Sequence, residues 1–219
     1  MVSLKEFTVS SPRPLPVIVL ADISGSMAEG GKIQALNAAV KDMLASFSDE
    51  EDVQAQIHVA IITFGRDGAR LHLPLTPAAQ AQWQDMPADG RTPMGAAFEQ
   101  ARELVEDRTR LPGRAYRPTL VLVSDGIPTD EWKPALERLL TSERASKAER
   151  MALAIGAEAE NEVLQAFVAG GGQRVFRGDE AREIRKFFRF VTQTVTRRSR
   201  AANPNVVTPA TPTDLDSLV

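Results

Sequence analysis

Apolar residues recur along the chain in two alternating patterns. Apolar runs, typical of strands that are covered on both faces, occur at 17–21, where the run is continuous, and at 56–64 and 119–123. Between these runs, apolar residues at three- and four-residue spacing predict helices, most clearly over 32–47 and 94–107. Because strands that alternate with helices pair in parallel, the pattern predicts an α/β fold, a doubly wound, mostly parallel six-stranded sheet flanked by helices.

Shorter runs complete this set of elements. Three more strands are predicted at 69–75, 151–157 and 174–176, and Pro74 marks the first of them as an edge strand or as a strand end. Four further helices are predicted, at 76–86, 133–140 and 161–169 and from Asp179 onwards. The last helix carries six cations: Arg182, Arg185, Lys186, Arg189, Arg197 and Arg198. Cations near a helix C-terminus are favourable through the helix dipole, and we expect the others on a solvated face rather than in a patch for nucleic acid or an acidic partner.

The length of 219 residues suits one domain with tails. Residues 1–11 precede the first predicted strand and form an N-terminal extension, and the periodic pattern then defines a single domain over 12–200. Residues 201–219 are rich in Pro, Thr and Asn and have no period, so we predict a flexible C-terminal tail.

The composition narrows the classes of partner and compartment. The formal net charge is -3, so bulk charge gives no reason to expect a nucleic-acid partner. There is no cysteine, which fits a reducing compartment and leaves no thiolate metal site. The chain starts without a secretory signal, and its longest apolar run, VIVLA, is far shorter than the roughly 20 residues of a membrane helix. We therefore expect a cytoplasmic protein without a membrane partner.

Polar oxygens follow two of the predicted strands. The first strand ends on Asp22, and Ser24 and Ser26 follow in a tight turn; another strand leads to Asp125. Thr92 lies in a loop directly before a helix. Because ligands of open parallel sheets bind beyond the carboxyl ends of the strands, these five side chains can converge on one crevice.

Two carboxylates and three hydroxyls form an oxygen-only set, which suits a hard cation such as Mg²⁺ or Mn²⁺ rather than zinc or copper. Neutral hydroxyls leave such an ion able to accept one more anionic oxygen, so the site could dock a carboxylate from outside. The alternative is a plain turn with a helix N-cap, because Asp and Ser favour both. A second carboxylate at a comparable strand end favours the metal site.

The segments DISGSM, GRTPMG and VSDGIPTD resemble the metal-ion-dependent adhesion site of von Willebrand factor A (vWA) domains, in the order of that family and over nearly the whole chain. The resemblance implies a Rossmann-like vWA fold. It also implies that Ser24, Ser26 and Thr92 offer hydroxyls to the metal. Asp22 and Asp125 would bind it directly or through water, and a partner's Glu or Asp would fill the vacant position.

The segment SDGIPTDEW, in a small chain, resembles more narrowly the TerY-type proteins of bacterial tellurium-resistance and stress-response systems. In that group the domain is associated with a protein kinase and a phosphatase. The resemblance therefore implies a protein-interaction module, not an enzyme, with a kinase or a phosphatase as partner.

Two residues near the predicted site are candidates for partner contacts. Arg91 stands where the family often has a glycine, and its guanidinium either clamps the partner's acid or is simply solvated. Trp132 follows the Asp125 loop and is either an interface hot spot or a lid packed on the next helix. The two histidines, His58 and His72, lie in predicted strands and are expected to be structural.

The alternative function is that of a Mg²⁺-dependent phosphohydrolase with Asp22 as nucleophile. That chemistry needs a second Asp two residues further on as acid and base, and the sequence has Ser24 there. Lys32 and Lys133 are the lysines that could balance an aspartyl phosphate. The interaction module is the favoured hypothesis.

Overall fold

The structure is a computed structural model and describes residues 12–50, 54–156, 161–170, 175–178 and 181–206. Six strands form one sheet in the order β3-β2-β1-β4-β5-β6. The strands are β1 (Arg13–Asp22), β2 (Ala55–Gly65), β3 (Gly68–Pro77), β4 (Thr119–Ser124), β5 (Glu149–Ile155) and β6 (Val175–Gly178). All neighbouring strands pair in parallel except β3, which pairs antiparallel with β2. The predicted class, a mostly parallel six-stranded sheet flanked by helices, is confirmed.

Helices cover both faces of the sheet. They are α1 (Lys32–Ser48), α2 (Met94–Glu106), α3 (Trp132–Thr141), α4 (Asn161–Val168) and α5 (Ala181–Arg200). In β1, Val17 and Val19 pack into the core under α1 and α5, whereas Ile18 and Leu20 pack into the core under α2, α3 and α4. Because successive side chains of a strand point to opposite faces, a strand covered on both faces must be apolar throughout. This explains the apolar runs of the sequence.

The prediction of a helix at 76–86 is wrong. Only Ala78–Gln80 forms a single 3-10 turn, and the chain from there to Gly90 has no regular secondary structure. The buried side chain of Asn37 on α1 takes both backbone groups of Met86: its Nδ2 donates to the carbonyl at 3.0 Å, and its Oδ1 accepts from the amide at 2.8 Å. Those contacts replace the hydrogen bonds of a helical turn, and Pro87 disfavours helical geometry just before it.

β3 is an edge strand, as Pro74 predicted, and it runs on to Pro77. Its antiparallel pairing follows from the tight connection to β2, because Gly65 and Gly68 are paired and Gly68 has φ +89°. A connection this short cannot make a parallel crossover. None of the helices within the described ranges has the length and apolar character needed to cross a bilayer.

The predicted ends of the domain are only partly covered by the structure. The extension 1–11, residues 207–219 and the helix start at Asp179 lie outside the described residues. Within the predicted tail, the Pro204 carbonyl accepts a hydrogen bond from Arg198 Nε at 3.0 Å, and Asn205 Oδ1 accepts one from the Arg117 amide at 2.8 Å. Residues 201–206 therefore pack against the body of the domain, and the division at 200 stays a prediction.

Candidate metal centre

Asp22 ends the central strand β1 and has no solvent-exposed surface. Its Oδ1 accepts a hydrogen bond from the Ser24 amide at 2.8 Å, and its Oδ2 accepts one from Ser124 Oγ at 2.5 Å. Burial raises the pKa of Asp22 to about 6, against the opposing effect of these hydrogen bonds and with a smaller upward contribution from the charge of Asp125. A nearby cation would favour the ionised carboxylate.

Asp125 directly follows β4, the parallel neighbour of β1, so the two carboxylates lie beyond adjacent strand ends. Its Oδ1 accepts a hydrogen bond from Ser26 Oγ at 2.7 Å. Its Oδ2 lies 2.6 Å from the ammonium of Lys32, the first residue of α1. From the sequence, Lys32 was a candidate counter-charge for a phosphorylated Asp22, and nothing in the spacing indicated its pairing with Asp125.

Ser24 and Ser26 connect the two carboxylates. Their hydroxyl oxygens lie 3.1 Å apart, Ser24 is buried, and Ser26 is exposed to solvent. Both stand at the start of the 3-10 segment Gly25–Gly31, which carries the chain from β1 into α1. The hydroxyls therefore form a short path from the buried end of the crevice to its surface.

The loop 90–93 brings Thr92 to the same crevice. The Gly25 amide donates to the Gly90 carbonyl at 3.0 Å and so joins this loop to the serine turn. Thr92 is buried, and its Oγ1 lies 3.0 Å from the point where a Cβ on Gly126 would stand. The threonine hydroxyl thus lies beside the loop of Asp125. The structure brings all five predicted site residues together from three separate segments of the chain.

Gly90 fixes the position of this loop. Its φ is +85°, and a Cβ at this position would lie 2.3 Å from the Cα of Arg66. We expect Gly90→Ala to lower the free energy of unfolding by about 2 kcal/mol and to displace Thr92, because a left-handed backbone and a backbone clash both oppose the side chain. Urea denaturation tests the first effect and Mg²⁺ calorimetry the second. Gly113→Ala, where a Cβ would meet nothing within 4 Å, is the matched control, and equal stability of the two variants would contradict the prediction.

Asp130 is a structural residue of the site that sequence reasoning missed. Its carboxylate accepts hydrogen bonds from the amides of Gly95 and Ala96, both at 2.9 Å, at the start of α2. An acid at a helix N-terminus satisfies free amides and complements the helix dipole. Asp130 therefore holds the Thr92 loop and the loop after Asp125 together.

The two candidates for partner contacts lie at different depths. Arg91 is exposed beside Thr92. Trp132 begins α3, is half-buried and packs on the core under α2, α3 and α4, with the Lys133 ammonium 5.3 Å from its ring centre. These positions agree with a packed lid for Trp132 and leave its contact with a partner untested.

The histidines have structural contacts. The Nε2 atom of His58 lies 3.0 Å from Gln56 Oε1, and that of His72 lies 2.8 Å from the Gln84 carbonyl. Burial, together with the charge of Arg114, lowers the pKa of His58. Neither imidazole contributes to the five-residue site.

The chemistry of the donor set fits a hard divalent cation. Across the described ranges, no three His, Cys, Asp or Glu side chains are grouped as a metal site. The five residues offer two carboxylates and three hydroxyls, all of them oxygen donors, and that set suits Mg²⁺ or Mn²⁺. The two buried acids also make a positive charge favourable between them.

Comparison with known sequences gives one family. The model of the von Willebrand factor type A domain matches residues 17–127. The uncharacterized protein Rv2850c of Mycobacterium tuberculosis is 32% identical over 116 residues, which are 52% of this chain and 18% of that protein. The chain thus spans less than a fifth of the length of this curated relative.

Solved structures share the fold. The pilus adhesin SpaC of Lactobacillus rhamnosus GG, in its open conformation, matches 86% of this chain and 31% of its own with a TM-score of 0.69 and 16% identity. A von Willebrand factor type A protein of Catenulispora acidiphila matches 84% and 42%, with a TM-score of 0.65 and 20% identity. Proximal thread matrix protein 1 of the mussel byssus, solved with a zinc-occupied MIDAS motif, matches 83% and 48%, with a TM-score of 0.61 and 16% identity.

Proposed function

The chain belongs to the von Willebrand factor type A domain family, and from that premise we propose that it is a metal-dependent protein-interaction module. Domains of this family often mediate metal-dependent protein interaction. The ligands in the proposed site are Asp22, Ser24, Ser26, Thr92 and Asp125. The cation they hold, Mg²⁺ or Mn²⁺, recruits a Glu or Asp side chain of a partner protein.

The proposal rests on one observation, the convergence of oxygen donors from three segments on two buried carboxylates. Asp22 and Asp125 have side chains without exposed surface, and Ser26 Oγ bonds to Asp125 at the surface of the crevice. A plain turn with a helix N-cap would not need the second carboxylate or the threonine loop. Two buried acids cost free energy unless positive charge accompanies them; Lys32 lies on Asp125, and a bound dication would balance both carboxylates.

The chemistry of the cation names the kind of partner. A dication held by two carboxylates and neutral hydroxyls is only just neutralised and prefers a further anionic oxygen over a neutral one. The zinc-occupied MIDAS of the mussel protein gives a precedent for a divalent metal within this fold. We further propose that Arg91, which is exposed beside Thr92, donates a charge-assisted hydrogen bond to the incoming carboxylate and that Trp132 adds apolar contact.

The phosphohydrolase alternative is less well supported. Both carboxylate oxygens of Asp22 accept hydrogen bonds, and the side chain has no exposed surface, so a nucleophilic attack would have to break this packing first. The Lys32 ammonium lies on Asp125 rather than on Asp22. We therefore propose a module without hydrolytic activity of its own. A generic phosphatase assay with Mg²⁺ tests this, and turnover that disappears in Asp22→Asn would favour the enzyme.

The narrower setting is also a proposal. The SDGIPTDEW segment supports a cytoplasmic protein of the TerY type, acting in a bacterial tellurium-resistance or stress-response system with a kinase or a phosphatase as partner. A pull-down in Mg²⁺ and in chelator, with wild type and Asp22→Asn as baits, tests it. A kinase or phosphatase retained only by wild type in Mg²⁺ is the expected result.

The threonine hydroxyl offers a mild test of the metal site. We expect Thr92→Val to weaken Mg²⁺ and Mn²⁺ binding by about tenfold in calorimetry, because the variant keeps the shape of the side chain and loses one oxygen donor. Thr141→Val, at the exposed end of α3, is the control with unchanged affinity. Equal affinity of Thr92→Val and wild type would remove Thr92 from the ligand set.

A further inference from the structure

Lys32 stands at an unusual place for a cation. It is the first residue of the 17-residue helix α1, whose first turn holds no acidic residue and whose N-cap makes no side-chain hydrogen bond. The positive end of the helix dipole lies there, so a lysine at this position is locally unfavourable. A residue that breaks a local preference usually has a compensating contact, and here that contact is Asp125.

Both carboxylate oxygens of Asp125 have a polar partner in this arrangement. The Lys32 ammonium lies 2.6 Å from Oδ2, and Ser26 Oγ donates to Oδ1 at 2.7 Å. Lys32 Nζ also lies 3.4 Å from the Ser26 carbonyl. The lysine side chain is 21% exposed and that of Asp125 is 0% exposed, so the ammonium lies between the carboxylate and solvent. A cation that reaches Asp125 Oδ2 from solvent meets Lys32 first.

We propose that Lys32 is a tethered counter-ion: it neutralises Asp125 in the metal-free protein and gives up this carboxylate when a dication binds. The proposal rests on the metal site proposed above and adds a competitor to it. Asp22 and Asp125 carry two negative charges, which one dication balances, so a lysine that stayed in place would leave a net positive charge in the crevice. The flexible four-carbon stem of lysine lets the ammonium move to solvent.

The competition has two opposite consequences for the protein. Without Lys32, Asp125 is a buried carboxylate with no cation on it, so the metal-free protein loses stability. The dication no longer has to displace a charge and binds more tightly. Lys32 therefore sets the metal affinity to a moderate value and keeps the metal-free site folded.

The test is Lys32→Met, with Lys41→Met on the exposed face of α1 as the matched control. We expect calorimetry to show Mn²⁺ and Mg²⁺ binding about tenfold more tightly to Lys32→Met than to wild type, because a nearby positive charge has been removed. Lys32→Arg, which keeps the charge, should bind like wild type or more weakly. Affinity of Lys32→Met that is equal to or below that of wild type would overturn the proposal.

A second arm needs no metal. In chelator, Lys32→Met should lower the midpoint of thermal unfolding in the wild-type background and leave it nearly unchanged in the Asp125→Asn background, because the pair acts as a unit. Equal shifts of the unfolding midpoint in both backgrounds would show that Lys32 is not the counter-ion of Asp125. If wild type binds no divalent cation but the coupling is present, the ion pair is confirmed and the proposed metal site is wrong. That outcome overturns the competition and separates the two hypotheses.

Discussion

Asp22→Asn is expected to abolish metal binding and, at the same time, to make the metal-free protein more stable at neutral pH. The variant removes one of two charged ligands, so the affinity for Mg²⁺ should fall by about 100-fold or more. It also removes a negative charge whose burial is unfavourable when no cation is bound. We expect the free energy of unfolding at pH 7, in chelator, to rise by about 2 kcal/mol.

The hydrogen-bond partners of Asp22 can also accommodate an asparagine. The Ser24 amide can still donate to the side-chain oxygen of Asn, as it does to Asp22 Oδ1 at 2.8 Å. On the other side, Ser124 Oγ now donates to Asp22 Oδ2, and its hydroxyl can rotate to accept from the amide group of Asn. The two side chains have nearly the same shape, so no cavity forms.

The pH dependence gives the sign of the effect. The pKa of Asp22 is raised from 3.8 to about 6, so between these values the folded protein holds a proton that the unfolded chain has released. The contribution of this group to stability is therefore most favourable below pH 4, falls as the pH rises towards 6, and is constant above that. The pKa difference corresponds to a loss of about 3 kcal/mol over this window.

The measurement is urea denaturation in chelator from pH 4.5 to pH 8. Partial burial is outweighed by hydrogen bonds from arginines or amides, which lower the pKa of Glu99 and Glu106, so these groups also change stability at the acidic end of the series. The quantity to plot is therefore the difference between Asp22→Asn and wild type, in which these groups cancel. Asp67→Asn, at an exposed carboxyl, is the matched control for the substitution itself. A difference curve for Asp22→Asn that is flat or falls with pH would contradict the prediction.

Most of the fold could be predicted because its strands are covered on both faces. The aliphatic runs at 17–21 in β1 and 120–123 in β4 are unbroken for that reason, β2 is largely apolar, and the alternation of these strands with helices defines the class. The irregular course of the chain up to Met86 could not be predicted, because both backbone groups of Met86 are satisfied by Asn37, a residue about fifty positions earlier in the chain. Apolar spacing within the segment contains no information about that contact.

Some residues of the candidate site could likewise be predicted from the sequence, and others could not. Asp22, Ser24, Ser26, Thr92 and Asp125 follow strand ends or precede a helix, where a parallel sheet collects side chains at one edge, so the sequence alone indicates them. Lys32 and Asp130 make their contacts across 93 and 35 residues. Spacing along the chain gives no signal for such pairs. The positive end of α1 is the one local feature that marks Lys32 as unusual.

The environment of Arg198 on α5 could not be predicted from the sequence either. The helix dipole predicts a favourable position for a cation in the last turn but not its burial, and the side chain of Arg198 is only 4% exposed. Burial lowers the pKa of this guanidinium, and the charge of Glu149 opposes that effect. A helix that docks by its apolar stripe still places its last turn against the sheet, and there the residue at position 198 faces the start of β4 and β5.

We expect Arg198→Met to lower the free energy of unfolding by about 3–5 kcal/mol, the range found when one partner of a buried ion pair is removed. The guanidinium donates to Thr119 Oγ1 at 2.6 Å, to Glu149 Oε2 at 2.9 Å, to the Arg117 carbonyl at 2.8 Å and to the Pro204 carbonyl at 3.0 Å. Methionine fills the volume and makes none of these hydrogen bonds. It leaves the Glu149 carboxylate, whose side chain is 0% exposed, without this cation.

Arg200 on the same helix provides the comparison that separates burial from ion pairing. Its guanidinium lies 2.8 Å from Glu50, a distance like that of Arg198 to Glu149, but the arginine side chain is 58% exposed. Arg200→Met should therefore cost less than about 1 kcal/mol in the same urea experiment, as exposed ion pairs do. Adding Glu149→Gln to Arg198→Met should recover part of the loss, because the buried negative charge is then absent. Equal losses for Arg198→Met and Arg200→Met, or no recovery in the double variant, would show that the buried charge of Glu149 is not the source of the effect.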